Sequence, residues 1–228
     1  MKPKTLAAAI VATAFTLAAP LAHSADPAPA VTFTNLTGVA TDPIPYTTGF
    51  KFEAVTAVTV LQLGAFDDSQ DGLAQSHQVG LWDSSGNLMA AATIPAGTGG
   101  QLIDQFRYHD IFPVSLVAGQ DYVVGEFITS SSPDNGVIHA TGFVTDPRIT
   151  FIGEAYKATG NIGEPGSFEF PNQTYFDSSV KAYFGANLIL APPAPVPEPA
   201  TWTLLLVGVG GVGTLARRRR QQIRHAQA

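Results

Sequence analysis

Short runs of strand-forming residues, each followed by a turn-forming cluster, constrain the fold of this chain more than any other feature. The runs are rich in β-branched, aromatic and aliphatic side chains, which favour strands. Alternation predicts that Val79 and Leu81 point to one side of a strand, and Gly80 and Trp82 to the other. The predicted strands cover residues 58–66, 77–82, 88–94, 122–128, 149–156 and 175–190.

The links between these runs carry the chemistry of turns. Residues 83–87, with the sequence Asp-Ser-Ser-Gly-Asn, predict a hairpin between two of the strands. The glycine-rich residues 97–100 and the Ser-Pro-Asp-Asn-Gly segment at 132–136 predict loops. Short strands joined by such turns predict an all-β fold, an antiparallel β-sandwich that is jelly-roll-like.

The first 25 residues have the organisation of a secretory signal peptide. Lys2 and Lys4 precede an apolar helical stretch at 6–19, and small residues follow Pro20. Cleavage after Ser24 and cleavage after Ala25 both fit this pattern.

Three unlike elements follow one another at the other end of the chain. The motif Pro197, Glu198, Pro199 precedes an apolar run at 203–216. As a helix this run spans ~21 Å, which is short for a bilayer core of ~30 Å. A basic cluster follows the run and predicts retention on the cytoplasmic side. It consists of Arg217, Arg218, Arg219 and Arg220.

This order of elements resembles the PEP-CTERM sorting tail of bacterial exported proteins. The resemblance implies a membrane protease partner, an exosortase, that acts near the Pro-Glu-Pro motif. It also implies transient insertion in the inner membrane, followed by release to the cell surface or into extracellular polysaccharide. A plain single-pass anchor with a proline-rich stalk is the alternative.

These features divide the chain into five parts. A β-sandwich domain at 26–190 follows the signal peptide at 1–25. A proline-rich linker at 191–196 leads to the sorting tail at 197–220, and a basic end at 221–228 completes the chain.

The charge of the part between the targeting segments excludes one class of partner. The chain has 12 Lys and Arg and 18 Asp and Glu residues. Seven of the basic residues lie in the two targeting segments, whereas every acidic residue lies between 26 and 198, so this part has a net charge of 5 − 18 = −13. Such a surface disfavours nucleic acid. The chain has no cysteine, so disulfides and thiolate chemistry are also excluded.

A second resemblance involves the sandwich itself. The sequence from Leu63 to Asp83 and the later Phe184-Gly185-Ala186-Asn187 look like a β-sandwich domain of unknown function found in bacterial surface and PEP-CTERM proteins. That group has no established activity to carry over.

The acidic loop at 67–72 is the best candidate for a metal site. Asp67, Asp68 and Asp71 precede Gly72 in a pattern by which oxygen ligands converge on calcium. The loop matches only half of an EF-hand, since Gln78 occupies the twelfth position. Calcium is therefore a possible cofactor, and an acidic solvated turn is the alternative.

Other candidates concern sugars. Trp82 is a candidate stacking platform for carbohydrate, although a lone tryptophan in a strand is usually part of the core. Alternation places Glu126 on the same face as apolar neighbours, and if that face is the core, Glu126 is buried and either partnered or protonated. The alternative is that Glu126 faces solvent or pairs with a cation such as Arg107 or Arg148. Glu126 with Glu154 is a candidate pair for glycoside hydrolysis. The histidines at 77, 109 and 139 are predicted to be surface or loop residues.

We therefore predict an exported, non-enzymatic surface or matrix protein. Its predicted role is structural or adhesive, with polysaccharide as a further expected partner. The alternatives are an extracellular polysaccharide hydrolase that uses a Glu/Asp pair, and a surface-coat protein without a ligand.

Overall fold

The computed structural model describes residues 26–36, 39–40, 43–130, 132–134, 136–137, 140–174 and 184–193. The predicted signal helix, the predicted C-terminal hydrophobic helix, the sorting motif and His139 lie outside these residues. Among the residues described, no helix is long and apolar enough to cross a membrane.

Fourteen strands and no helix occur in the described part of the chain. The strands are β1 (Ala28–Pro29), β2 (Val31–Leu36), β3 (Val39–Ala40), β4 (Tyr46–Ala54), β5 (Val58–Phe66), β6 (His77–Asp83), β7 (Leu88–Ile94), β8 (Gln101–Ile103), β9 (Phe106–Leu116), β10 (Gln120–Ile128), β11 (Gly136–Val137), β12 (Ala140–Thr145), β13 (Ile149–Ala158) and β14 (Ala186–Leu190).

Two five-stranded antiparallel sheets form the body of the sandwich. The first sheet has the order β1-β14-β5-β9-β8, and the second has the order β13-β4-β10-β6-β7. Two small antiparallel ribbons, β2 with β12 and β3 with β11, complete the fold. The predicted all-β antiparallel sandwich is confirmed.

The core follows from alternation along the strands. On β4, Phe50 and Phe52 are fully buried, while Lys51 and Glu53 point away from the core. A cluster of aromatic rings joins β4 to the residues just before β14, where Phe184 packs edge-on against Phe50 with ring centroids 5.2 Å apart. Full burial of each phenylalanine contributes roughly 2–3 kcal/mol to folding.

The predicted strands at 58–66 and 88–94 coincide with β5 and β7. Those at 77–82, 122–128 and 149–156 lie within β6, β10 and β13. The strand predicted for 175–190 is confined to β14 where it is described, because Phe184 and Gly185 precede the strand and 175–183 lie outside the described residues. The strands β2, β4, β9 and β12 and the short strands β1, β3, β8 and β11 were not predicted.

Candidate functional site

A charged cluster is buried at the start of β6. His77 lies between two carboxylates, with Nδ1 2.6 Å from Glu126 Oε1 and Nε2 2.8 Å from Asp134 Oδ2. The side chains of His77 and Glu126 are 1 % and 2 % exposed. Glu126 is paired with Val79 on the neighbouring strand, so it is a diagonal neighbour of His77 on the core face of the sheet.

Asp134 connects this cluster to two loops. Its carboxylate accepts hydrogen bonds from the backbone N–H groups of Ala74 at 2.8 Å and Gln75 at 3.2 Å. The side chain of Gln75 in turn donates to the hydroxyl of Thr129. The loop before β6 is thereby fixed to the loop after β10.

The carboxylates keep the imidazole of His77 positively charged. Burial alone lowers the pKa of a histidine, but the charge and hydrogen bonds of Glu126, followed by those of Asp134, outweigh burial and raise the pKa of His77 to about 9. Burial raises the pKa of Glu126, and the charge and hydrogen bond of His77 oppose that shift. The prediction of a surface position for His77 is wrong, and Glu126 is buried with His77 as its partner rather than Arg107 or Arg148.

Glu126 and Glu154 do not face a cleft. Glu126 is paired with Thr48 and Glu154 with Phe50, so both carboxylates are on the core face with β4 between them. Their exposed fractions are 2 % and 6 %. This arrangement does not support the pair as the catalytic carboxylates of a hydrolase, because a polysaccharide has no route to both.

The carboxylate of Asp67 forms a buried ion pair with Arg107. The guanidinium of Arg107 donates from Nε to Asp67 Oδ2 at 2.6 Å, and both side chains are nearly inaccessible. Arg107 also donates to the carbonyl oxygens of Gly100 and Gln70, and the N–H of Gly72 donates to the same Asp67 oxygen. The acidic loop is therefore held in place by an arginine.

The other two candidate calcium ligands lie on the exposed side of the same loop. Asp71 accepts a hydrogen bond from the hydroxyl of Ser69 at 2.6 Å, and Asp68 is exposed. Among the described residues, no group of three or more histidine or carboxylate side chains is placed to hold a metal ion. The structure does not bring Asp67, Asp68 and Asp71 together as a ligand set.

Trp82 is covered by a later part of the chain. Its side chain is 3 % exposed, and the rings of Phe168 and Phe170 lie 5.2 and 6.0 Å from it. These two residues belong to an extended segment at 164–173 that crosses the outer face of the second sheet, where the N–H of Glu169 donates to the hydroxyl of Thr47. Trp82 is thus not an exposed stacking platform in this structure.

A row of glycines makes room for the covering segment. Gly125 on β10 is paired with Gly49 on β4 and with Gly80 on β6, so three glycines lie side by side across the sheet. A Cβ atom on Gly80 would lie 2.6 Å from Cζ of Phe168, and one on Gly125 would lie 3.0 Å from Cγ of Pro171. The absent side chains allow close packing at this place.

An open groove lies between the edge of the second sheet and a bulge in the first. On β9, three residues at 111–113 stand opposite the single Leu61 of β5, because Asp110 pairs with Gln62 and Val114 with Val60. The bulge projects Phe112, which is 94 % exposed, beside the edge strand β7. The groove has a volume of about 540 Å³ and is lined by Met89, Ala90, Ala91, Asp110, Ile111, Phe112, Pro113 and Val114.

Polar groups that form hydrogen bonds lie next to this groove. The amide of Gln62 donates to Asp110 Oδ1 at 2.7 Å and also contacts the amide oxygen of Gln101 at 3.4 Å. Asp110, Gln62 and Gln101 line a second cavity of about 230 Å³, and Asp110 also lines the groove. The two cavities together have apolar walls and the exposed ring of Phe112. The carboxylate of Asp110 and the amides of Gln62 and Gln101 lie beside them.

This groove was not predicted from the sequence. Its signal in the sequence is Phe112-Pro113 within a strand, since a proline there marks a bulge or an edge. Strand β9 itself was not predicted, because the charged and polar residues at 107–110 interrupt the apolar pattern of a strand. His109, by contrast, is exposed, as predicted.

Two antiparallel sheets around a phenylalanine-rich core define the protein as a β-sandwich protein. A family model described as "Domain of unknown function (DUF4082)" matches residues 34–183, and the chain belongs to this family. A second model, the PEP-CTERM protein-sorting motif, matches residues 195–220. Both resemblances predicted from the sequence are confirmed.

The fold also has a counterpart among solved structures. No curated protein matches the chain. A solved structure titled "Xyl-CBM35 in complex with glucuronic acid containing disaccharide" is 17% identical in sequence. The match covers 63% of this chain and 96% of that chain, with a TM-score of 0.29.

The sorting motif establishes where the protein goes. The chain is exported and processed through an exosortase, with a transient membrane anchor and a cell-surface or extracellular location. The residues that carry the predicted motif, from Pro197 to Arg220, lie within or at the end of the matched range.

Proposed function

We propose that this protein is a structural or adhesive component of the cell surface or extracellular matrix that binds polysaccharide. The binding site is the groove between β7 and the bulge of β9. The exposed ring of Phe112 is the single observation that carries the proposal. Its side chain is 94 % exposed, and contact of this apolar surface with water is unfavourable in free energy unless a ligand covers the ring.

The groove has the composition of a sugar-binding surface. The C–H face of a pyranose ring packs on an aromatic ring, and the hydroxyl groups at its edge need hydrogen-bonding partners. Phe112 supplies the ring, and Met89 at the edge of β7 extends the apolar surface. Asp110, Gln62 and Gln101 supply acceptors and donors beside them.

A binding function fits the described carboxylates better than hydrolysis does. The buried carboxylates Glu126 and Glu154 lie inside the sandwich, and Asp67 is held by Arg107. In the groove itself, Asp110 is the one carboxylate among the described lining residues. Hydrolysis by two carboxylates needs a pair across the scissile bond.

Affinity electrophoresis tests the proposal. The exported protein, purified from the producing cells, is run through gels that contain the extracellular polysaccharide of the same cells. We expect retardation of the wild type and its loss in Phe112→Ala. Ile162→Ala is the matched control, because Ile162 is 74 % exposed and lies outside the groove lining.

Equal migration of all three proteins with and without polysaccharide would contradict the proposal and favour a surface-coat protein without a ligand. Retardation that is equal in wild type and Phe112→Ala would place polysaccharide binding elsewhere on the molecule. Release of reducing ends from the polysaccharide by the wild type would favour the hydrolase alternative.

A further inference from the structure

We propose that the polysaccharide bound in this groove carries free amino groups, as a chain of unacetylated hexosamine units does. The inference rests on the proposed function and names the chemical class of the ligand. Its basis is the distribution of charge over the described residues and within the groove.

Every lysine and arginine in the described part of the chain already has a carboxylate partner. The pairs are Lys51 with Asp121 at 2.7 Å, Arg107 with Asp67 at 2.6 Å, Arg148 with Asp146 at 2.8 Å, and Lys157 with Glu169 at 2.6 Å. An anionic polysaccharide would have to compete with these carboxylates for a cation. The described residues therefore offer uronate or sulfate groups no uncommitted lysine or arginine.

Carboxylates greatly outnumber these cations. Of the 18 acidic residues in the chain, all but Asp42, Asp177 and Glu198 lie in the described part. Such an excess of one sign attracts oppositely charged ligands over a distance and repels those of like charge. A polyanionic ligand is disfavoured even before it reaches the groove.

Within the groove, the carboxylate of Asp110 is placed to contact a cationic group of the ligand directly. It lines both cavities, its side chain is exposed, and no lysine or arginine is among the described residues that line either of them. Its Oδ1 atom accepts a hydrogen bond from Gln62, which fixes the carboxylate beside the bulge that carries Phe112. If a sugar ring stacks on Phe112, an ammonium group on that sugar can donate a charge-assisted hydrogen bond to the carboxylate of Asp110.

The test compares three hexasaccharides on the full exported protein by isothermal titration calorimetry at low and moderate salt. The probes are β-1,4-linked hexamers of glucosamine and N-acetylglucosamine, and an α-1,4-linked hexamer of galacturonate. We expect the glucosamine hexamer to bind about 10-fold more tightly than the N-acetylated one, which corresponds to one charge-assisted contact of ~1.4 kcal/mol. We expect the galacturonate hexamer to bind more weakly than either, and the amine preference to shrink as salt rises.

Two variants that each remove one negative charge separate the specific contact from the general field. Asp110→Asn retains an oxygen that accepts the Gln62 hydrogen bond, and we expect it to reduce affinity for glucosamine to the N-acetylglucosamine level. Asp71→Asn removes the same charge at an exposed position outside both cavity linings and likewise retains an oxygen for its Ser69 hydrogen bond. We expect the amine preference to persist in Asp71→Asn. Equal loss in both variants would overturn the assignment of Asp110.

The outcomes distinguish failure of this inference from failure of the proposed function. If all hexamers bind equally and Phe112→Ala abolishes their binding, the groove binds polysaccharide but the amine inference is wrong. The same holds if galacturonate binds most tightly. If no hexamer and no cellular polysaccharide binds, the proposed function is wrong and the inference falls with it.

Discussion

Nδ1 of His77 lies 2.6 Å from Oε1 of Glu126 inside the sandwich, and neither side chain is more than 2 % exposed. The contact joins β6 to β10, and Asp134 on the other side of the imidazole joins the same histidine to two loops. A buried charge that loses its partner is costly, and in this cluster the imidazole of His77 has a carboxylate close to each of its ring nitrogens. We therefore expect the stability of the folded protein to depend on this cluster.

Replacing Glu126 by glutamine tests that dependence. Glu126→Gln removes the nearer negative charge and leaves the buried His77 with Asp134 alone, so we expect a loss of about 3 kcal/mol in the free energy of unfolding. Urea denaturation of both proteins at pH 7 measures it. Asp121→Asn, which breaks the half-exposed pair with Lys51, is the comparison, and we expect it to cost less than about 1 kcal/mol. Similar losses in the two variants would contradict a special role for the buried cluster.

Stability is expected to fall as the solution becomes alkaline. The pKa of His77 is about 9 in the folded protein against 6.5 for an unperturbed histidine, so the folded state binds the proton more tightly. The contribution is complete below pH 6.5 and is lost as the pH rises through about 9. It amounts to roughly 3 kcal/mol, or a decrease in Tm on the order of 5–10 °C.

Thermal unfolding between pH 6 and pH 10 measures this effect. His77→Gln is the control, because it has no imidazole to titrate and its Tm should be lower at pH 6.5 but much less dependent on pH. A wild-type Tm that stays constant from pH 6.5 to pH 10 would show that His77 does not hold its proton in the way the geometry indicates.

The pair of Asp67 and Arg107 gives a prediction about calcium. Because Arg107 neutralises Asp67 and holds the loop, we expect the same Tm in calcium and in EDTA. We also expect Asp67→Asn to lower the free energy of unfolding by about 3 kcal/mol, since it leaves a buried guanidinium without its counter-charge. A rise in Tm with micromolar calcium that Asp67→Asn abolishes would contradict this expectation and support the calcium site predicted from the sequence.

The glycine row should tolerate no side chain beneath the covering segment. A methyl group at Gly80 would meet Trp82 at 2.5 Å and Phe168 at 2.6 Å, so we expect Gly80→Ala to cost about 1–3 kcal/mol by overpacking. Gly153→Ala is the matched control, because no atom lies within 4 Å of its Cβ position. Equal stability of the two variants, measured by urea denaturation, would show that the segment does not pack on the sheet as described.

Most of the strands predicted from the sequence are those rich in β-branched, aromatic and aliphatic residues. The strand at 58–66 was predicted with its observed bounds because aliphatic and aromatic residues dominate it from Val58 to Phe66. The strand β9 was missed because charged residues and Pro113 interrupt its pattern, and the groove was missed with it. A bulge of this kind depends on which residues pair across strands, and that information is not local.

Long-range contacts explain the other differences. Alternation along one strand placed Glu126 on the face of its apolar neighbours, but its partner His77 lies on a different strand of the sheet. Trp82 is buried by Phe168 and Phe170, more than 80 residues further along the chain. Asp67 is paired with Arg107, 40 positions away. The pattern around each residue predicts which face it occupies and leaves open what covers it.

The most direct test of the central claim places a fluorescent ring at the proposed site. Phe112→Trp in the exported protein puts an exposed indole in the groove, while the buried Trp82 supplies a constant signal. We predict a saturable blue shift of the emission when the extracellular polysaccharide of the producing cells is added, because a bound sugar excludes water from the ring. Unchanged emission at polysaccharide concentrations that retard the wild type in gels would contradict the assignment of this groove as the binding site.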